Sequence, residues 1–231
     1  MRITTVGLDA DDTLWHNETI FRLTQDRFRA LMADVAAPEV LDARLAAVER
    51  RNLALYGYGV KGFTLSLIET AMELTGGEPP GRIISDILAA GREMLGHPVE
   101  PLPGVDHALA ELSEGYRLVL ITKGDLLHQE QKLAASGLGD LFAAVEIVSE
   151  KDASTYASVF SRHGTGASAA AMCGNSIRSD ILPAIEAGAF AAHVPYPLTW
   201  AHEVAEAPIG HHRFVELPSI RDLPGWVRGL G

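Results

Sequence analysis

The 231-residue chain is short of three things: cysteine, basic residues and long apolar runs. Its one cysteine, Cys173, excludes an internal disulfide and fits a reducing compartment. Lys and Arg number 19 against 30 Asp and Glu, a formal net charge of -11. A field of that sign repels nucleic acid and anionic membranes, so neither is expected as a partner. A small anionic substrate is not excluded, because a local cluster of cations can reverse the sign inside one pocket. The first apolar run stops at Leu8 with charged residues close behind, too short for a secretory signal core. The Ala-rich run around Ala167 to Met172 is far short of a membrane span. The expected location is the cytoplasm. What remains is an ordinary globular composition, 47% apolar and 21% charged, with enough length for one domain or two unequal ones.

Residues Ile3 to Leu8 form a β-branched apolar run, read as a buried strand ending at Asp9. From about Asn17 to Gly96 apolar residues recur every three or four positions, as in FRLTQDRFRALMADV and FTLSLIETAMELT, with no strand between. That is repeated helix periodicity, broken by Gly57, Gly59 and Gly62 and again by Glu78-Pro79-Pro80-Gly81. Beyond His97-Pro98, helices alternate with strands expected at Arg117–Ile121, Ala144–Val148, Ser168–Cys173, Ala189–Val194 and Arg213–Val215. Alternation of this kind implies right-handed crossovers and a parallel sheet. The expectation is an α/β, Rossmann-like domain with helices on both faces of the sheet (residues 1–14 and 97–231). An all-α insertion (residues 15–96) splits it after its first strand.

In an open parallel sheet, ligands bind outside the carboxyl ends of the strands. At the expected strand ends lie Asp9 and Asp11, then Thr122, then Lys151, then Asn175 and Asp180. Acids, a hydroxyl and a lysine are what phosphoryl transfer through a carboxyl phosphate requires: a nucleophile, a second acid, a phosphate donor, a cation and a metal site.

The stretch VGLDADDTL resembles the first motif of the haloacid dehalogenase-like superfamily, an apolar strand followed by Asp-x-Asp-x-Thr. LITKGD, EKDAS and GNSIRSDILPAIEAGA resemble the second, third and fourth, in order and at strand ends. The helical insertion resembles that family's C1-type cap, a lid over the active site. The resemblance implies a Mg²⁺-dependent phosphatase acting on a small-molecule phosphate ester. Asp9 would attack phosphorus. Asp11 would protonate the leaving alcohol and then deprotonate water, with its backbone carbonyl on the metal. Thr122 would bind a phosphoryl oxygen, helped by the backbone N–H groups of Lys123 and Gly124, and Lys151 would neutralise the charge of Asp9 and the phosphate. Asp9, Asp11, Asp180 and Asn175 would form the Mg²⁺ site. Asn175 departs from the family pattern, which has an acid there; it keeps an oxygen ligand and loses a charge. An acid two residues after the nucleophile speaks for phosphate chemistry and against carbon–halogen cleavage. A phosphomutase keeps both aspartates and stays open, as does a binding protein that retains the fold.

Several residues carry plainer readings beside these. Asp12 is expected to serve local structure, and an Asp or Thr before the first helix suits an N-cap. Cys173 reads as a small buried hydrophobe. His211-His212 reads as a loop. Tyr56 to Phe63, YGYGVKGF, reads as a flexible loop in which Lys61 meets a charged substrate, or as a plain connection anchored by its aromatics. His16 and Asn17, just past the first motif, read as facing substrate or, more plainly, as hinge packing and an N-cap.

Overall fold

Along the second strand, Leu118 and Leu120 pack into one apolar cluster and Val119 and Ile121 into another, the period-2 alternation of a strand covered on both faces. The computed structural model describes residues 2–230. Six strands, β1 (Thr5–Leu8), β2 (Arg117–Lys123), β3 (Ala144–Val148), β4 (Ala170–Gly174), β5 (Phe190–His193) and β6 (Phe214–Glu216), form one sheet. Its order is β3-β2-β1-β4-β5-β6, and every neighbouring pair is parallel. Nine α-helices are described: α1 (Glu18–Leu31), α2 (Pro38–Tyr56), α3 (Val60–Leu74), α4 (Gly81–Leu95), α5 (Val105–Ser113), α6 (Leu126–Ser136), α7 (Ala153–His163), α8 (Leu182–Glu186) and α9 (Leu223–Gly229). The expected Rossmann-like α/β fold is therefore the observed one. No described helix is long and apolar enough to cross a membrane.

The strand order reverses beside β1: the chain leaves it for β2 on one side and later fills β4 on the other. Such a switch point opens a crevice at the carboxyl ends of the two strands. β1 is held tightly there. A Cβ on Gly7 would lie 3.0 Å from Ile121 and Met172 and 3.1 Å from Phe160, so a side chain there would press on three packed neighbours. One face of the sheet buries Val6, Leu8 and Cys173 under α5 and α9 residues such as Leu109, Leu223 and Val227; the other buries Met172 under Tyr156 and Phe160 of α7. The C-terminal Leu223-to-Val227 segment thus covers the core of its own chain.

The chain divides into two compact units, Met1–Glu18 with Val99–Lys123 and Gln129–Gly231, and Thr19–Pro98 with Gly124–His128. The first carries the sheet. Its chain leaves and re-enters at adjoining points, for Trp15 bridges antiparallel to Pro101 and the Leu102 N–H donates to the Leu14 carbonyl at 2.8 Å. The second unit has its own core, built from Phe28, Leu45, Phe63, Leu67, Ile87 and Met94 among others.

Several boundaries differ from the sequence expectation. β1 starts at Thr5, and Ala167–Ala169 forms a 3₁₀ turn before β4. The helix after Asn175 opens as a π-turn, Ile177–Ile181, before α8. The Tyr56–Phe63 stretch is mostly not a loop: α3 starts at Val60, so only Gly57 to Gly59 connect, and Lys61 and Phe63 are helical. The cause is packing. Phe63 is buried in the helical core, and a Cβ on Gly62 would come within 2.8 Å of the Gly57 carbonyl oxygen.

Asp12 is the one described non-glycine residue with positive φ, 62°. Its carboxylate accepts from the backbone N–H of Asn17 at 2.8 Å and of Glu18 at 3.0 Å, capping the start of α1. Burial lifts this carboxyl to about 7, although the two amides pull it down. An unfolded Asp titrates near ~3.9, so across that interval the folded chain keeps a proton that the unfolded chain has lost. Stability contributed by this group therefore falls as pH rises through the window. Asp12→Asn keeps an acceptor oxygen, suits the left-handed backbone and removes the titration. Its melting temperature should vary less than that of the native chain between about pH 4 and 7 and should be the higher of the two at alkaline pH. Parallel profiles would show that Asp12 does not titrate there.

Candidate active site

Asp9 follows β1 directly, and its backbone N–H donates to the Cys173 carbonyl at 2.9 Å, fixing it at the switch point between β1 and β4. One carboxylate oxygen, Oδ1, accepts from Lys151 Nζ at 2.5 Å; the other accepts from the Thr13 hydroxyl at 2.9 Å. Lys151 also reaches Asp180 Oδ1 at 2.7 Å. Both Lys151 and Asp180 are buried, with side chains 2% and 1% exposed. Asp180 is completed by the Ser176 N–H on Oδ2, 3.0 Å, and stands 3.4 Å from the Tyr156 hydroxyl, whose hydrogen goes to the Ser179 carbonyl at 3.0 Å. A side chain on Gly174 is impossible here, since its Cβ would sit 2.1 Å from Asp180 Oδ2.

Burial pushes the Asp9 carboxyl up to about 7; Lys151 opposes that rise, while the charges of Asp180 and Asp11 add to it. Burial would lower the Lys151 ammonium, but Asp180 and Asp9 outweigh it and hold it well above its usual value. One cation thus serves two carboxylates.

Asp11 lies two residues on in a different environment. Oδ1 accepts from Lys132 Nζ at 2.5 Å and from the Trp15 indole N–H at 2.8 Å, and Oδ2 accepts from Gln129 Nε2 at 3.0 Å. Burial would raise this carboxyl, yet the Lys132 charge and the three hydrogen bonds overcome it and hold Asp11 below the usual range. Gln129 Nε2 also lies 2.7 Å from Thr122 Oγ1 and 2.7 Å from the Lys123 carbonyl, while its own oxygen is buried with no hydrogen-bond partner among the described residues.

Asn175 faces Asp9 from the end of β4. One end of its amide lies 3.2 Å from the Asp11 backbone oxygen, 3.2 Å from Thr13 Oγ1 and 3.3 Å from Asp9 Oδ2. With nitrogen at that end the amide satisfies these acceptors itself. With oxygen there, a carboxylate, a carbonyl and an amide oxygen face one another, a hard-oxygen set that suits Mg²⁺. No group of three or more His, Cys, Asp or Glu side chains is arranged to hold a metal among the described residues. Two of these three donors are an amide and a main-chain carbonyl, and Asp180 is committed to Lys151 and the Ser176 amide.

Of the residues singled out in the sequence, Asp9, Lys151, Asp180 and Asn175 meet directly, and Asp11 and Thr122 join through Gln129. The Lys123 ammonium lies 2.8 Å from Glu203 and 2.9 Å from Ser179 Oγ. Lys61, in the first turn of α3, pairs with Asp125 at 2.9 Å within the helical unit, a half-exposed ion pair of small energetic weight. His16 Nδ1 lies 2.6 Å from the Tyr196 hydroxyl, and Asn17 Oδ1 accepts from Lys132 at 3.2 Å. Sequence reasoning missed Thr13, Gln129, Lys132, Tyr156 and Glu203. Gln129 and Lys132 are three apart on one helix, so a shared face was readable; that this face meets Asp11 was not.

The model of the haloacid dehalogenase-like hydrolase family matches residues 3–188, and the chain belongs to that family. No curated protein matches it. A haloacid dehalogenase-like family hydrolase from Xanthomonas campestris is 44% identical, with a TM-score of 0.89 over 99% of this chain and 91% of that one. L-2-haloacid dehalogenase from Xanthobacter autotrophicus, with chloropropionic acid covalently bound, is 19% identical with a TM-score of 0.65, over 99% of this chain and 100% of its own. Magnesium-bound YfnB from Bacillus subtilis is 16% identical with a TM-score of 0.62, over 98% and 99%. The last two likenesses bear on the fold alone.

Replacing Lys151 by Met would leave Asp9 and Asp180 buried without their cation. Breaking a buried charge pair in this way costs about 3–5 kcal/mol. The loss should be larger at pH 8 than at pH 5, because acid neutralises the orphaned carboxylates. Urea unfolding of Lys151→Met at the two pH values checks this; equal losses would mean that the orphaned carboxylates do not titrate between pH 5 and pH 8.

Proposed function

We propose that the chain is a Mg²⁺-dependent phosphohydrolase that cleaves a small-molecule phosphomonoester through an aspartyl-phosphate on Asp9. The observation carrying this reading is the approach of one end of the Asn175 amide to the Asp11 carbonyl oxygen at 3.2 Å and to Asp9 Oδ2 at 3.3 Å, beside the Lys151 ammonium. A carboxylate that attacks a phosphate dianion must be screened from it, and this is where screening charge would gather. Asp9, the Asp11 carbonyl and Asn175 would hold Mg²⁺, with Asp180 adding negative charge beside Lys151; the bound ion would neutralise the phosphoryl oxygens. Asp9 oxygen forms the new bond to phosphorus as the ester P–O bond breaks. Lys151 neutralises the charge brought to Asp9. Gln129 donates into the Thr122 oxygen, so Thr122 can turn its hydrogen, which rests on the Lys123 carbonyl at 3.2 Å, toward a phosphoryl oxygen.

Asp11 handles the protons. Its ionised state in the free enzyme suits the second step, in which Asp11 takes a proton from water as the water oxygen bonds to phosphorus and the bond from phosphorus to the Asp9 oxygen breaks. A leaving alkoxide needs a proton and a halide does not; Asp11 takes up that proton from solvent as the substrate binds and delivers it to the ester oxygen as the P–O bond breaks, so a carboxyl at position 11 supports ester over carbon–halogen cleavage. By the same family resemblance the helical unit is a C1-type cap that selects the substrate, with Lys61 exchanging Asp125 for an anionic group. The single cysteine supports a cytoplasmic setting, and the net charge of -11 speaks against nucleic acid or membrane as target.

The test is phosphate release from a panel of small phosphomonoesters, with Mg²⁺ and with EDTA. Release should require Mg²⁺ and vanish in Asp9→Asn. It should fall by about 10²–10⁴-fold in Asp11→Asn, and by less with an aryl ester, whose leaving group needs little protonation. Halide release from 2-haloacids, with none of phosphate, would overturn the reading.

A further inference from the structure

Glu203 lies in a short 3₁₀ turn, Ala201–Glu203, between β5 and β6, and sequence motifs gave it no role. Its side chain is only 17% exposed. Oε2 accepts from the Ser176 and Ser179 hydroxyls, each at 2.5 Å, and Oε1 accepts from Lys123 Nζ at 2.8 Å. Lys123 also donates to Ser179 Oγ at 2.9 Å, closing the network. Burial would raise the Glu203 carboxyl, but the Lys123 charge and the three hydrogen bonds prevail and keep it below its usual range.

The two serines sit on the turn between Asn175 and Asp180. Ser176 accepts the Ser179 N–H on its hydroxyl oxygen at 2.9 Å and gives its own N–H to Asp180 Oδ2 at 3.0 Å. Because its hydroxyl hydrogen goes to Glu203, the oxygen lone pairs remain for the Ser179 amide. Ile177–Ile181 is a single π-helical turn, a rare conformation found mostly at functional sites.

We infer that Glu203 is a positioning residue for the metal site: its carboxylate fixes the Asn175–Asp180 turn through both serines and ties that turn to Lys123 at the end of β2. The inference rests on the Mg²⁺ reading above. Asn175 brings no charge to the proposed ligand set, so affinity depends the more on holding its amide oxygen in place. Outer partners of metal ligands typically carry 10–100-fold in affinity or activity.

The experiment measures Mg²⁺ binding to the full chain by calorimetry, alongside the Mg²⁺ dependence of phosphate release. Glu203→Gln keeps the shape but cannot accept from the serines and from Lys123 together. Its Mg²⁺ dissociation constant should rise about 10–100-fold, with KM for Mg²⁺ rising more than kcat falls. Ser179→Ala, a second variant should the first fold poorly, should shift affinity in the same direction by less. Glu206→Gln removes the same charge from an exposed site on the same segment and should bind Mg²⁺ as the native chain does. Native affinity in Glu203→Gln, an equal loss in Glu206→Gln, or no Mg²⁺ binding by the native chain would each overturn the inference. A native chain that binds Mg²⁺ and releases no phosphate, with Glu203→Gln binding weakly, would sink the hydrolase reading and leave the role of Glu203 standing.

Discussion

The Lys151 ammonium lies 2.5 Å from Asp9 and 2.7 Å from Asp180, with almost no solvent on any of the three. Two carboxylates cannot share so dry a place without a cation between them, and much of the local structure follows from satisfying what Lys151 leaves over. Thr13 takes the second oxygen of Asp9 and the Ser176 amide that of Asp180. Gly174 has no side chain because Asp180 folds back against it. Lys151 follows β3, two strands from β1 in the sheet order, so the length of a lysine is what lets that loop serve the central strand.

Asp9 and Asp11 are two residues apart, and their carboxyls are displaced in opposite directions from the usual range. Asp9 is pushed up by burial and by its acidic neighbours, whereas Asp11 is held down by Lys132, Trp15 and Gln129. Environments that separate two carboxyls in this way divide chemical roles between them. In the proposed reaction Asp9 is the group that gains from a cation at its side, and Asp11 the one already ionised to take a proton from water. The division is enforced by α6 through Gln129 and Lys132, which touch Asp11 and leave Asp9 to Lys151.

Much of this was legible in the chain. The alternation of apolar runs after residue 97 implied a parallel sheet, and all five of its later strands appear within a few residues of where the pattern put them. Boundaries slipped where tertiary packing outweighs local preference. Lys61 and Phe63 looked like loop residues among glycines, but Phe63 is buried in the helical core, so α3 starts at Val60. Asp12 was readable as local structure, though not its left-handed backbone or the amides it caps.

The sequence by itself determined the strand–helix order, the family, and which polar residues stand at strand ends, because period and motif are properties of neighbours along the chain. Tertiary structure decided who meets whom. Glu203 lies 24 residues beyond Ser179 and Lys132 lies 121 beyond Asp11, in segments with no motif of their own. Their roles come from a buried carboxylate or hydroxyl needing a partner, and that need is met by whichever side chain the fold brings within about 3 Å. One strand-end pattern can be completed by many distant residues, so only the folded chain selects among them.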